Sequence, residues 1–163
     1  MFGKVIRCAA IALLASSATP VMAHGPDAKT AAPATLAPSA RSAAATVDAF
    51  HLALRRGDTR AAAALLANDV LIFEGGGVER SRAEYESHHL GADAEFSKAV
   101  PSVLTRRSGE ANGAMAWIAS EGRTTGTYKG KPVDRLTAET IVLRRAGGTW
   151  KIVQIHWSSA AAR

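Results

Sequence analysis

Four extended runs separated by tight-turn residues occupy the C-terminal part of the chain, and they restrict the fold more than any other feature. Ser102–Gly109, Ala114–Thr125, Val133–Arg145 and Thr149–Ser159 read as strands. Asn112-Gly113, Lys129-Gly130 and Gly147-Gly148 lie between them. Such residues accept the positive φ of two-residue hairpin turns, so an antiparallel meander follows. The preceding segment is helical. Val47, Phe50 and Leu54 recur at i, i+3, i+7, the spacing of one helix face. Gly57 supplies a stop and Asp58 a cap for a second, alanine-rich helix over Thr59–Ala67. Arg56-Gly57-Asp58 is thereby a helix junction rather than an adhesion motif. Val70–Glu74 is a strand that runs into the turn Gly75-Gly76-Gly77, which lacks the Lys-Ser/Thr of a phosphate-binding loop. Ser81-Arg82-Ala83-Glu84 matches a capping box and opens a helix to about Leu90, with Ala92–Ala99 as a further short helical piece. The class is α+β, with helices on one face of a curved sheet.

The first residues carry a different message. Lys4 and Arg7, the apolar stretch Cys8–Ala15 and the small residues of Val21-Met22-Ala23 form the pattern of a cleavable secretory signal, cut after Ala23. The apolar stretch is too short to span about 30 Å of hydrocarbon. Residues 24–42 are rich in Ala, Pro and Thr and read as a flexible linker, leaving a domain over 43–159. The only cysteine, Cys8, leaves with the signal. Export to the periplasm or medium is the expected localisation. The net charge of +6 is scattered rather than gathered on one face, so nucleic acid is not an expected partner. Nor is a membrane, once the signal is gone.

The turns set a provisional register. With the three dipeptides as turn centres, Thr105 faces Ser120, Ser120 faces Glu139, and Glu139 faces His156. Opposed residues share a face with Cβ atoms about 4.5–5.5 Å apart. A polar row is expected among the apolar Ile118, Ile141, Leu143 and Ile152. A Glu139–His156 pair there is equipment for general acid–base chemistry, or a structural ion pair holding two strands. One β-bulge would move every later side chain to the other face. That other face carries Trp117, Val142, Val153, Ile155 and Trp157, so both faces need cover, one by helices and one by a second subunit. On the capped helix Tyr85 and His89 share a side. Glu84–His88 and Glu86–His89 have spacings used in metal sites, but each occurs once, and no metal or cofactor is assigned.

These residues resemble a family. Glu139-Thr140-x-Val142-x-x-Arg145-x-x-Gly148-x-Trp150-x-x-Val153-x-x-His156-x-Ser158 is similar to the end of nuclear transport factor 2-like proteins, closest to the SnoaL-like/DUF4440 branch. It also resembles the association domain of calcium/calmodulin-dependent kinase II. Phe50…Gly57-Asp58 and Asp69-Val70…Phe73-Glu74 fit the same pattern. The resemblance implies a cone: three N-terminal helices packed on a strongly curved mixed sheet, a pocket between them, and homodimers or larger rings. It implies isomerases, dehydratases, cyclases and epoxide hydrolases among the activities, beside non-catalytic binders and assembly domains. It places Glu74 where isomerase-like members carry a carboxylate base. The arginines of the association-domain pocket fall at Ala119, Ile141 and Trp157 here, so that anion-binding arrangement is missing. The leading expectation is an exported domain that binds a small, largely apolar molecule. The alternatives are an enzyme using Glu74 or the Glu139–His156 pair, and an assembly module. Tyr85, His89, Thr105, Ser120 and Trp157 are the expected pocket residues.

Overall fold

A computed structural model describes residues 36–162. The expected signal and most of the linker lie outside the described residues. Structured elements begin ahead of Ala43. Leu36 bridges Gly109 on a sheet strand, and Pro38–Ala40 form a 3-10 turn that leads into the first helix. Four helices follow: α1 (Arg41–Arg56), α2 (Thr59–Leu65), α3 (Arg82–His88) and α4 (Leu90–Ala99). The six strands are β1 (Leu66–Glu74), β2 (Gly77–Glu79), β3 (Ser102–Asn112), β4 (Met115–Tyr128), β5 (Lys131–Ala146) and β6 (Thr149–Ala161). They form one mixed sheet in the order β2-β1-β6-β5-β4-β3, with only β1 and β6 parallel. The expected α+β class and helix-covered curved sheet are present, with four helices where three were implied.

The local signals act as read. Gly57 ends α1 at φ 72°, and the Asp58 side chain accepts from Ala61 N–H at 2.9 Å to start α2. The Ser81 hydroxyl accepts from Glu84 N–H at 3.1 Å, although Glu84 reaches back to Arg80 N–H, at 2.7 Å, rather than to Ser81. At the β5–β6 hairpin both central residues have positive φ, 56° at Gly147 and 82° at Gly148, as a primed turn demands.

Register decides what shares a face. β4 and β5 pair as expected, with Ser120 opposite Glu139. The β3–β4 turn is centred on Gly113 and Ala114, one residue later than expected, so Asn112 faces Met115. Arg107 therefore stands opposite Ser120, and Thr105 falls at an irregularity between Leu104 and Arg106. β5 and β6 pair as expected from the turn to Leu143↔Ile152 and then shift by one, since Val142 faces Gln154. The β-bulge at Val153 turns the rest of β6 over. Glu139 faces Trp157, and His156 faces Thr140 on the opposite side of the sheet.

The bulge has a packing reason. Trp150 and Ile152 before it and Ile155 after it are all buried on the helix-covered face. A regular strand would expose one of these groups, because its side chains alternate strictly. The resulting core joins Ile118, Ile141, Leu143, Ile152 and Ile155 of the sheet to Val47, Phe50 and Leu54 of α1. Trp150 Nε1–H donates to the Ser42 hydroxyl at 2.9 Å, tying the start of α1 to β6.

Gly109 marks the tightest backbone approach. A Cβ there would sit 2.7 Å from Ile118 Cδ1 and 2.8 Å from the Trp117 carbonyl oxygen. The carbonyl belongs to a paired strand and has little room to give. Gly109→Ala is expected to lower unfolding stability by about 1–3 kcal/mol, the usual range for overpacking. Urea denaturation measures it.

Candidate functional site

The helix-covered face changes character along the strands. Next to the apolar core come three polar rows: Arg107–Ser120–Glu139–Trp157, Leu104–Gly122–Thr137–Ser159 and Ser102–Thr124–Arg135. These residues, with Asp48, His51 and Arg55 of α1 and Asp93 and Phe96 of α4, line a cavity of about 970 Å³. Charged and hydroxyl side chains make up most of this lining, beside the apolar Leu54, Phe96, Val100 and Leu104.

Glu139 is the centre of the first row. Its side chain is 9 % exposed, and its Oε2 lies 2.8 Å from Nε2 of His51. Trp157 Nε1–H donates to the same oxygen at 2.7 Å. Burial alone raises this carboxyl, but His51, Trp157 and the nearby Arg107 overcome burial and hold it below its ordinary range. An ionised carboxylate only accepts hydrogen bonds, so Nε2 of His51 donates in this contact, and the matching uncharged tautomer has its lone pair on Nδ1. Arg107 extends the network. Its Nε–H donates to the Ser120 hydroxyl at 3.2 Å, and it pairs with Asp48 at 2.6 Å.

A second cluster adjoins. Glu74, Asp93 and Trp157 line both the main cavity and a smaller one of about 290 Å³ that also holds Glu79, Tyr85 and His89. The Tyr85 hydroxyl, fully buried, donates to Asp93 Oδ2 at 2.7 Å. His89 Nδ1 bonds to Glu79, and that contact raises the imidazole above its ordinary value. Burial holds the Asp93 carboxyl above its usual range, against the opposing hydrogen bond from Tyr85. Burial and then the charge of Asp93 raise the Glu74 carboxyl likewise. Burial and Asp93 together push the Tyr85 phenol up.

The expected site is thus partly assembled and partly exchanged. Ser120, Glu139, Trp157 and Glu74 reach the main cavity, whereas Tyr85 and His89 reach the smaller one. Thr105 reaches neither, having been displaced by Arg107. The Glu139–His156 pair does not form. His156 stacks edge-on against Phe73, with ring centroids 6.3 Å apart, on the face turned away from the helices. Its place beside Glu139 is taken by His51 from α1. A signal for His51 was present in the sequence. Asp48, His51 and Arg55 repeat, one residue later, the helical spacing of Val47, Phe50 and Leu54. They form a polar stripe beside the core stripe.

Residues 43–162 match the SnoaL-like domain family, and the chain belongs to it. A Shewanella frigidimarina protein described as a candidate ketosteroid isomerase is 38 % identical over 76 % of this chain and 100 % of its own, with a TM-score of 0.72. A Xanthomonas campestris protein described as a candidate calcium/calmodulin-dependent kinase II association domain is 25 % identical over 78 % of this chain and 94 % of its own, with a TM-score of 0.65. A candidate dehydratase of the NTF2-like family from Streptomyces avermitilis shares the fold, with a TM-score of 0.65 at 20 % identity over 76 % of this chain and 97 % of its own. No curated protein matches the chain.

The shift at Asp93 gives a stability prediction. Its folded pKa is raised, so the folded state loses stability as pH rises from the unfolded carboxylate range through the folded value. Asp93→Asn keeps an acceptor for the Tyr85 hydroxyl and removes the ionisable group. Its melting temperature should exceed that of the wild type at pH 8, and the gain should vanish near pH 3. Differential scanning calorimetry across this range measures both ends.

Proposed function

We propose that the domain is an acid–base enzyme acting on a small carbonyl compound, by isomerisation or dehydration. One observation carries the reading. The His51 imidazole lines the cavity with its Nε2 fixed 2.8 Å from the buried Glu139. Orientation by a carboxylate suits a general base, because it fixes the tautomer and stabilises the imidazolium that forms. In the proposed step Nδ1 of His51 takes a proton from the carbon next to the carbonyl. The electron pair moves onto the carbonyl oxygen, and a proton returns at a second position. Glu74 and Asp93, whose carboxyls hold protons above the usual range, are the candidate acids. The 38 % identical isomerase candidate supports this class of reaction.

Deuterium uptake tests it. In D₂O the protein should exchange the C–H protons beside the carbonyl of a simple methyl ketone, followed by proton NMR. His51→Gln should slow this exchange by about 10²–10⁴-fold, the typical contribution of a positioned base. His156→Gln should leave it unchanged. Exchange that survives in a folded His51→Gln protein removes the imidazole from the chemistry.

We also propose that the protein works after export and as a homo-oligomer. The N-terminal pattern of residues 1–23 supports export. Apolar side chains left exposed on the uncovered sheet face, Trp117 at 43 % and Met115 at 45 %, support self-association, as does the likeness to an association domain. Light scattering should give at least a dimer, and Trp117→Glu should shift it toward the monomer.

A further inference from the structure

Three arginines line the main cavity from three separate elements: Arg55 on α1, Arg107 on β3 and Arg135 on β5. Most cavity carboxylates are already engaged elsewhere. Asp48 pairs with Arg107, Glu121 with Arg106, Glu139 with His51, and Asp93 accepts from Tyr85. Among the described residues neither Arg55 nor Arg135 has a carboxylate within ion-pair distance. Arg135 is nonetheless held in place. Its Nε–H donates to the Ser159 hydroxyl at 2.9 Å, and its Nη2 donates to the Ser159 carbonyl at 3.3 Å. Neutral acceptors orient this group and leave its charge uncompensated.

Resting on the acid–base reading above, we infer that the substrate is a monocarboxylate, a keto acid whose carboxylate is gripped by Arg55 and Arg135 while its carbonyl reaches His51. A planar guanidinium fork matches a carboxylate with two parallel hydrogen bonds. A phosphate dianion fits less well, because the ionised Glu139 shares the cavity and repels a second negative charge. Arg135 and Glu139 are four residues apart on β5, which places their backbones about 13 Å from each other. Leu54, Phe96 and Leu104 supply apolar lining. The substrate therefore carries a hydrocarbon spacer between its carboxylate and its carbonyl. These arginines occupy positions other than Ala119, Ile141 and Trp157, so their anion site is a separate construction.

The test uses 7-oxooctanoate, its neutral amide 7-oxooctanamide, and inorganic phosphate, each titrated calorimetrically into the full chain as produced. The carboxylate should bind at least about tenfold more tightly than the amide, the scale of a charge-assisted bidentate contact. The double variant Arg55→Gln/Arg135→Gln should bring the two ketones within about twofold of each other, with its melting temperature confirming the fold. Equal affinity in the wild type overturns the inference. So does a preference that persists in the folded double variant, or phosphate binding tighter than the carboxylate. The two proposals separate in the same samples in D₂O. His51-dependent exchange without carboxylate preference removes the anion subsite and leaves the base. Carboxylate preference without exchange does the reverse. Binding of neither ketone sinks both.

Discussion

The structure depends on one buried charge. The Glu139 side chain is 9 % exposed where the apolar core of the sheet gives way to the polar rows of the cavity. Burying an unpaired carboxylate costs several kcal/mol, so the fold must bring donors to it. Two arrive from distant parts of the chain: the His51 imidazole from α1 and the Trp157 indole from β6. Bringing Trp157 there requires the β-bulge at Val153, because a regular β6 would turn His156 toward β5 and Trp157 away from it. The bulge, the placement of α1 and the ionised state of Glu139 are three aspects of one requirement. What results is an imidazole on the cavity wall whose Nε2 is committed to Glu139.

Trp157 links this centre to the carboxyl cluster. Its ring stacks on Phe50 at 6.4 Å and lies 6.4 Å from the ring of Tyr85, which in turn bonds Asp93. One side chain thus closes the core, donates to Glu139 and borders both cavities. On one side of it the network holds a carboxylate ionised. On the other side, burial favours protonated carboxyls. Pushing titratable groups apart in this way is what separates the roles of base and acid in one site.

Much of the fold was legible in the sequence because local chemistry wrote it. Asp58, Ser81, Gly57 and the glycine turns set the helix ends and hairpins, and the β4–β5 register followed from Lys129-Gly130 alone. The site was half legible. Glu139 and Ser120 were placed by the register of the β4–β5 hairpin, and Glu74 by the family resemblance. His156 was misplaced because alternation holds only until a bulge, and the bulge at Val153 answers a tertiary demand: Ile152 and Ile155 must both be buried. His51 and the three arginines went unread since their meeting place is built by helix-on-sheet packing, which no strand register contains. The helical spacing of Asp48, His51 and Arg55 was the available sign.

The protonation pattern of His51 tests the central claim most directly. Long-range ¹H–¹⁵N correlation NMR on uniformly ¹⁵N-labelled protein near pH 8 distinguishes the two neutral tautomers. Glu139 as the anchor requires the Nε2–H form in the wild type and a loss of that bias in Glu139→Gln. An Nδ1–H ring, or a His51 signal indifferent to the Glu139 substitution, would contradict the account.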